Sequence, residues 1–220
     1  MSARITFDGE LKLLHLDLVK MASMIETAID DSIKALTTTD KELAMKVVEK
    51  DREVDDIEKS IEARCLTLLM RQQPVAKDLR NISTALKMIT DMERIGDQAA
   101  DIAELSTRFE KINTMAVVKH LPQMAKITIS MVHDSINAFI QGDLELAKKV
   151  IKTDDEVDSL FESVKIDIIS ILIDDKNMAD DAIDTLMIAK YLERIGDHAV
   201  NICEWVEFYF TGEHKNQRIL

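Results

Sequence analysis

The chain of 220 residues has little of what breaks or pins a backbone: five glycines, two prolines and two cysteines. The isolated Cys65 and Cys203 suggest neither a zinc site nor a disulfide framework, and they point to a reducing compartment. Aromatics make up 4% of the residues. Positive charge is short as well, at 28 Lys and Arg against 41 Asp and Glu, for a net charge of −13. That balance argues against a nucleic-acid binder, whose phosphate contacts need a basic surface. It suits cations or basic protein patches instead. No stretch approaches the roughly 20 apolar residues of a membrane span. The N-terminus lacks the charged-then-apolar run of a secretion signal. A cytoplasmic location is expected, with any membrane association peripheral and made through partners.

What remains is Met, Leu, Ile, Ala, Glu, Asp and Lys, a mixture that reads as all-α. Pro74 and Pro122 both suit the first turn of a helix. Within this plain background one word occurs twice. Glu93-Arg94-Ile95-Gly96-Asp97 returns 100 residues later as Glu193-Arg194-Ile195-Gly196-Asp197. Each copy sets two acids at i and i+4, a like-charge pair that destabilises a helix by roughly 0.2–0.5 kcal/mol. Each copy also places a glycine mid-helix, at a cost of about 1 kcal/mol relative to Ala. A locally unfavourable word kept twice is a word in use, and a hard cation is the usual remedy for clustered carboxylates.

The repetition extends beyond the word. Asp40-Lys41-Glu42-Leu43-Ala44 resembles Asp143-Leu144-Glu145-Leu146-Ala147, and Asp51-Arg52-Glu53-Val54-Asp55 resembles Asp154-Asp155-Glu156-Val157-Asp158, both 103 positions apart. The chain is therefore an internal duplication, with repeats at 1–112 and 113–220. Each repeat reads as three amphipathic helices. Leu11, Leu14, Leu18, Met21 and Ile25 follow the helical period in the first. Thr39 with Glu42 predicts a capping box for the second helix, which runs to about Met70. Pro74 opens the third, which runs to about Glu110. The second repeat predicts helices near 121–141, 143–174 and 177–210, and 111–120 is the candidate linker. Short connections predict antiparallel neighbours, so the expected architecture is two tandem three-helix bundles.

Helical spacing places the acids along the apolar stripes rather than opposite them. Glu93 and Asp97 continue the line of Ile82, Leu86 and Ile89, and Asp51 and Asp55 share a face with Ala44, Val47 and Cys65. Asp154 and Asp158, and Glu193 and Asp197, repeat the arrangement. Buried carboxylates require compensation. Protonation of so many acids is a poor answer, and Arg94 and Arg194 lie well round the helix from their glutamates. Metal ions fit the oxygen donors best. Glu26 and Asp30, by contrast, read as a solvated pair with no counterpart in the fourth helix. A carboxylate-bridged metalloenzyme is the competing reading, but its helical-bundle sites use Glu-x-x-His motifs. None of the five histidines follows a glutamate by three residues. His198 reads as a surface or outer residue. A purely structural bundle that binds partners is a third reading.

Two three-helix units, each ending in Glu-Arg-Ile-Gly-Asp, resemble the PhoU family. Gln73-Pro74-Val75-Ala76-Lys77-Asp78-Leu79-Arg80 and His198-Ala199-Val200-Asn201-Ile202-Cys203-Glu204 carry the resemblance further, as does Phe7-Asp8-Gly9-Glu10-Leu11. The resemblance spans essentially the whole chain. It implies a non-enzymatic accessory protein that negatively regulates the phosphate-starvation response. Such a protein links the ATPase subunit of the phosphate ABC transporter to a sensor histidine kinase, and homodimers are expected. A related branch accompanies other phosphate transporters. The resemblance also implies divalent or trivalent metal ions, mono- or multinuclear, with Fe, Zn, Mn and Mg as candidates. One cluster would use Asp51, Asp55, Glu93, Asp97 and Asp101. The other would use Asp154, Asp158, Glu193, Asp197 and Asn201. Asn201 stands where the first repeat has Asp101, and Phe161 where it has Glu58, so the second site is expected to hold fewer or different ions.

Overall fold

A computed structural model describes residues 3–71, 76–109, 118–215 and 217–218. Six long helices form two antiparallel triplets: α1 (Ala3–Thr38), α2 (Lys41–Arg71) and α3 (Ala76–Ser106), then α4 (Leu121–Gln141), α5 (Leu144–Asp174) and α6 (Ala179–Thr211). A single 3₁₀ turn, Lys176–Met178, joins α5 to α6. The expected all-α duplication is what the chain adopts. Pro122 takes its place in the first turn of α4. The third helix stops at Ser106 rather than near Glu110, its last turn tightening as Thr107 N and Arg108 N bond to Glu104 O and Leu105 O. Pro74 and most of the linker expected at 111–120, with the 112/113 boundary, lie outside the described residues.

The turn into α2 differs from expectation. Asp40, not Thr39, caps the helix, its Oδ1 accepting from Leu43 N at 3.0 Å. Thr39 instead ends α1 in the left-handed region, at φ 51°. The chain reverses there with Asp40 N bonded to Ala35 O. The second repeat builds the same turn with Gly142, at φ 68°, followed by Asp143, whose side chain accepts from Glu145 N and Leu146 N. A Cβ at Gly142 would come within 2.7 Å of the Phe210 ring. Glycine is thus required there twice over, by backbone and by space. Beyond α6, Glu213–His214 pairs with Gln217–Arg218 in a two-stranded antiparallel ribbon that the sequence pattern did not signal.

One apolar core runs through both repeats. It takes Met21 and Ile25 from α1, Ile61 and Cys65 from α2, and Met88 and Met92 from α3, and continues into Val132, Val164 and Leu192 of the second repeat. Each such side chain contributes about 1.5–3 kcal/mol when fully buried. The repeats meet mainly through α3 and α6, with α1 also touching α4. Polar pairs mark this seam. His198 Nδ1 lies 2.9 Å from Asp91 Oδ1, and the Asn201 amide donates to the same oxygen at 3.0 Å. The Tyr191 hydroxyl is hydrogen-bonded to Asp101. Asp91 and Tyr191, like Asp101 and Asn201, occupy equivalent repeat positions, so the seam approximates a twofold axis. Arg108 reaches Asp184 across it at 3.3 Å.

Candidate metal centre

The doubled word sits in the middle of α3 and of α6, each facing the middle of the preceding helix. Its glycine sets the approach. A Cβ at Gly96 would lie 3.2 Å from Val54 Cγ1 and 3.4 Å from Asp51 Oδ1, and one at Gly196 would lie 3.3 Å from Asp154 Oδ1. The missing side chain therefore lets α2 bring Asp51 against α3, and α5 bring Asp154 against α6. Asp51, Asp55 and Asp97 each offer an oxygen within 4.8 Å of the others. Oxygens on opposite sides of one hard cation are about 4–5 Å apart, twice the usual metal–oxygen distance. Among the described residues this is the one group of three acids, histidines or cysteines that meets that spacing.

Electrostatics agree with the geometry. Burial pushes the Asp51 carboxyl up to about 6, and repulsion from Asp97, Asp55 and Asp101 adds to it. Glu93 is raised by burial and then by Asp97, with Arg94 opposing. Asp101 is raised chiefly by burial, against the bond from Tyr191. Glu58, just outside the group, is raised by burial and Glu62. Asp51 has no hydrogen bond or ion pair among the described residues. Arg94 does more than its helical position suggested: its long side chain folds back to Glu93 Oε2 at 3.4 Å and Asp97 Oδ2 at 3.1 Å. Lys59 also stands 3.8 Å from Asp55 Oδ2. These two cations against Asp51, Asp55, Glu93, Asp97 and Asp101 still leave a net negative, half-buried hollow. The donor set fits a hard or borderline cation.

The second repeat uses the same word differently. Burial, Asp197 and Asp158 push the Asp154 carboxyl up to about 6. Asp197 is raised by burial and Glu193, with Lys190 opposing. Yet Asp158 and Asp197 are exposed where Asp55 and Asp97 are half-buried. Lys190 donates to Glu193 Oε1 at 2.7 Å, and its ammonium lies 5.5 Å from the centre of the Phe161 ring. The first repeat has Thr90 and Glu58 at those two places. The residues flanking the word thus supply the second site with its own cation.

Asp101 and Asn201 adjoin the acid groups, but their side chains are engaged in the seam, with Tyr191 and Asp91. His198 also belongs to the seam. Glu26 is no solvated acid: its Oε1 lies 2.7 Å from His133 Nδ1, joining α1 to α4. The sequence reading missed Lys190, Tyr191 and Asp91. Comparing the repeats position by position would have exposed the first, since a lysine facing a threonine beside the word is visible without coordinates. Cys65 and Cys203 are free, buried and raised by that burial, so neither offers a thiolate. Among the described residues no helix is long and apolar enough to cross a membrane.

The sequence and the fold have close counterparts among known proteins. A family model described as the PhoU domain matches twice, at residues 18–106 and 121–206. A Clostridium acetobutylicum protein named as a phosphate-specific transport system accessory protein PhoU homolog is 39% identical over 94% of this chain and 95% of its own. The Escherichia coli protein named as PhoU, with the same accessory description, is 31% identical over 94% of this chain and 86% of its own. The crystal structure of PhoU from Pseudomonas aeruginosa superposes with a TM-score of 0.88, at 29% identity, over 94% of this chain and 100% of that one. The regulatory PhoU structure from Streptococcus pneumoniae gives 0.86 at 28% identity, over 94% and 98%. With the family domain matched in both halves and relatives this similar over nearly their whole length, the chain belongs to the PhoU family.

Proposed function

We propose that this protein is a metal-binding, non-enzymatic adaptor that accompanies phosphate uptake. It acts in the cytoplasm as a negative regulator of the phosphate-starvation response, between the ATPase subunit of a phosphate ABC transporter and a sensor histidine kinase, and it works as a homodimer of two-repeat chains. Family membership and the accessory role in its relatives' names support the adaptor reading. The convergence of Asp51, Asp55 and Asp97 within 4.8 Å supports the metal reading.

In this reading the first site holds its ion through Asp51, Asp55 and Asp97, with Glu93 beside them. The second uses Asp154, Asp158, Glu193 and Asp197. Fe, Zn, Mn and Mg all accept such oxygen donors. A bound cation neutralises the acid group and draws α2 and α3 together. Asp101 and Asn201 stand where each site meets the seam. Asp101 is among the groups repelling Asp51 and is bonded to Tyr191 of α6. Site occupancy therefore bears on the contact between repeats, which gives the adaptor a route from ion to shape.

Two measurements test the reading. Cells lacking the protein should keep phosphate-scavenging genes on at high phosphate; normal repression there rejects the regulatory role. Protein purified without added ions should carry metal by elemental analysis, and Asp51→Asn with Asp97→Asn should remove most of it. Unchanged metal content in that variant rejects the site.

A further inference from the structure

Beside Asp51 lies a cavity of about 260 Å³ between α1 and α2, with Gly96 at its floor. Its walls include Met24, Ala28, Leu43, Val47 and Val54. The second repeat shows how the same helix pair closes such a hollow. Met131 stands where the first repeat has Ala28; it is 1% exposed, and its Cε lies 3.7 Å from a Cβ placed on Gly196. At Gly96 the three nearest atoms all belong to α2. The hollow opens past the exposed Lys46, Lys50 and Glu53. A side chain that fills it is present elsewhere in this chain, so the space is a retained feature rather than a packing necessity.

Charge gives the occupant its sign. Asp31, Asp51 and Glu53 line the cavity against Lys46 and Lys50. Lys46 is already bound to Glu42 at 2.9 Å. In the second repeat the equivalent of Asp31, Asp134, is held by Lys149 at 3.4 Å, and Lys149 is the equivalent of Lys46. Asp31 itself has no ion pair or hydrogen bond among the described residues. The hollow thus has a surplus of carboxylate, with one acid left open at its α1 side. An anion would meet three carboxylates against one uncommitted ammonium among the described residues, that of Lys50, since Lys46 is taken by Glu42. A bare metal ion would leave the apolar walls unused.

We propose that this cavity binds a small organic ammonium ion, an apolar body carrying a protonated amine. An ammonium has three donors and no acceptor, which matches Asp31 and the carboxylates behind it. Its methylene chain lies against Met24, Ala28, Val47 and Val54. The site goes beyond the metal reading and does not depend on it: with Asp51 committed to a cation, Asp31 and Glu53 still face the hollow.

The test uses the full chain with methyl-labelled methionine, and n-hexylamine as probe. Equal-length n-hexanoate and n-hexanol serve as controls, and each titration is run with and without Mg²⁺. The Met24 methyl signal, assigned with Met24→Leu, should move saturably with hexylamine and bind it at least tenfold tighter than hexanoate. Ala28→Met, which copies the second repeat, should abolish the response. Asp31→Asn should weaken hexylamine several-fold and leave hexanol unchanged. A Met24 signal that ignores hexylamine, responds equally to hexanoate, or still responds in folded Ala28→Met overturns the proposal. If Ala28→Met does not fold, Asp31→Asn decides, and unchanged hexylamine affinity there overturns it. Absence of bound metal would reject the metal centre and leave this titration standing.

Discussion

The two copies of Glu-Arg-Ile-Gly-Asp share a backbone and build different sites. In the first, Asp55 and Asp97 are half-buried and close on Asp51, and an arginine from the word itself bridges Glu93 and Asp97. In the second, Asp158 and Asp197 are exposed, and Glu193 is held by Lys190, one turn upstream. The differences come from outside the word: Glu58 against Phe161, Thr90 against Lys190, Asp101 against Asn201. A ligand motif sets donors and spacing. Its neighbours decide how closely the donors converge. Among the described residues Asp51 is left without a partner in the first site, where Arg94 and Lys59 hold Glu93, Asp97 and Asp55, while Lys190 is added at the second. The sharpest way to break this comparison is to remove two donors from each site in turn. Asp51→Asn with Asp97→Asn should lower first-site metal affinity at least tenfold, and Asp154→Asn with Asp197→Asn should lower total bound metal less, by elemental analysis and calorimetry. A cation held at 100 times its Kd adds about 2.7 kcal/mol to native stability. The metal-dependent rise in melting temperature should therefore vanish mainly in the first variant. Equal losses from both would dissolve the distinction.

The next effect is one the repeats share. Asp51 and Asp154 both stand at about 6 from an ordinary 3.8. A carboxyl raised in the folded state binds protons more readily there than in the unfolded chain. Its stabilising contribution is present below about pH 4 and lost as pH rises to 6 and beyond. Metal-free protein should accordingly lose stability between those values. Asp51→Asn and Asp154→Asn should each raise the metal-free melting temperature at pH 7 and leave it unchanged near pH 4. With metal present the order reverses for Asp51, because the ion needs the carboxylate. If Asp154→Asn shows the same reversal at the same metal concentration, the sites are alike after all.

Much of this was legible beforehand. Six helices follow from apolar periodicity that hardly any glycine or proline interrupts, and the duplication follows from three matched segments in order. The acids fell on the apolar side of their helices because a 3.6-residue period fixes direction as well as length. What stayed hidden was non-local or depended on side-chain reach. Arg94 points round the helix at its Cα, yet its long stem folds back onto two acids. Asp101 and Asn201, ligands by family resemblance alone, are bonded across the α3–α6 seam, which no single-helix pattern reveals. Glu26 looked solvated until α4 supplied His133. Thr39 and Asp40 are both good capping residues, and the left-handed reversal at Thr39 gave the role to Asp40.

Smaller still is the cost of filling the glycine gaps. Ala gains about 1 kcal/mol over Gly in a helix interior, while overpacking costs about 1–3 kcal/mol. At Gly96 the nearest atom is Val54 Cγ1, a stiff branched side chain packed in the core; at Gly196 it is Asp154 Oδ1, the free end of a carboxylate. Gly96→Ala should lower the melting temperature, and Gly196→Ala should leave it near wild type or above. Either methyl would press on an aspartate, but only around Gly96 do three acids converge within 4.8 Å among the described residues, so Gly96→Ala should weaken metal binding more than Gly196→Ala does. A more damaging Gly196→Ala would show that the second pair of helices is the tighter one.

The smallest expected effect addresses cause rather than correlation. If Lys190 explains why the second site is self-satisfied, then its absence should open that site and its presence should close the other. Lys190→Thr frees Glu193, whose side chain is 15% exposed and therefore partly desolvated. Partly exposed ion pairs are worth about 0.2–1 kcal/mol, which caps the gain in second-site metal affinity at several-fold. Thr90→Lys, at an exposed position one turn before Glu93, places the same ammonium beside the first acid group. It should cost the first site a similar several-fold in calorimetric affinity and raise metal-free stability slightly, since the lysine supplies in part the charge that the ion would. The two substitutions together should narrow the gap between the repeats. Should Thr90→Lys leave first-site affinity untouched, the asymmetry lies in Glu58 and Phe161 instead, and exchanging those two becomes the decisive variant.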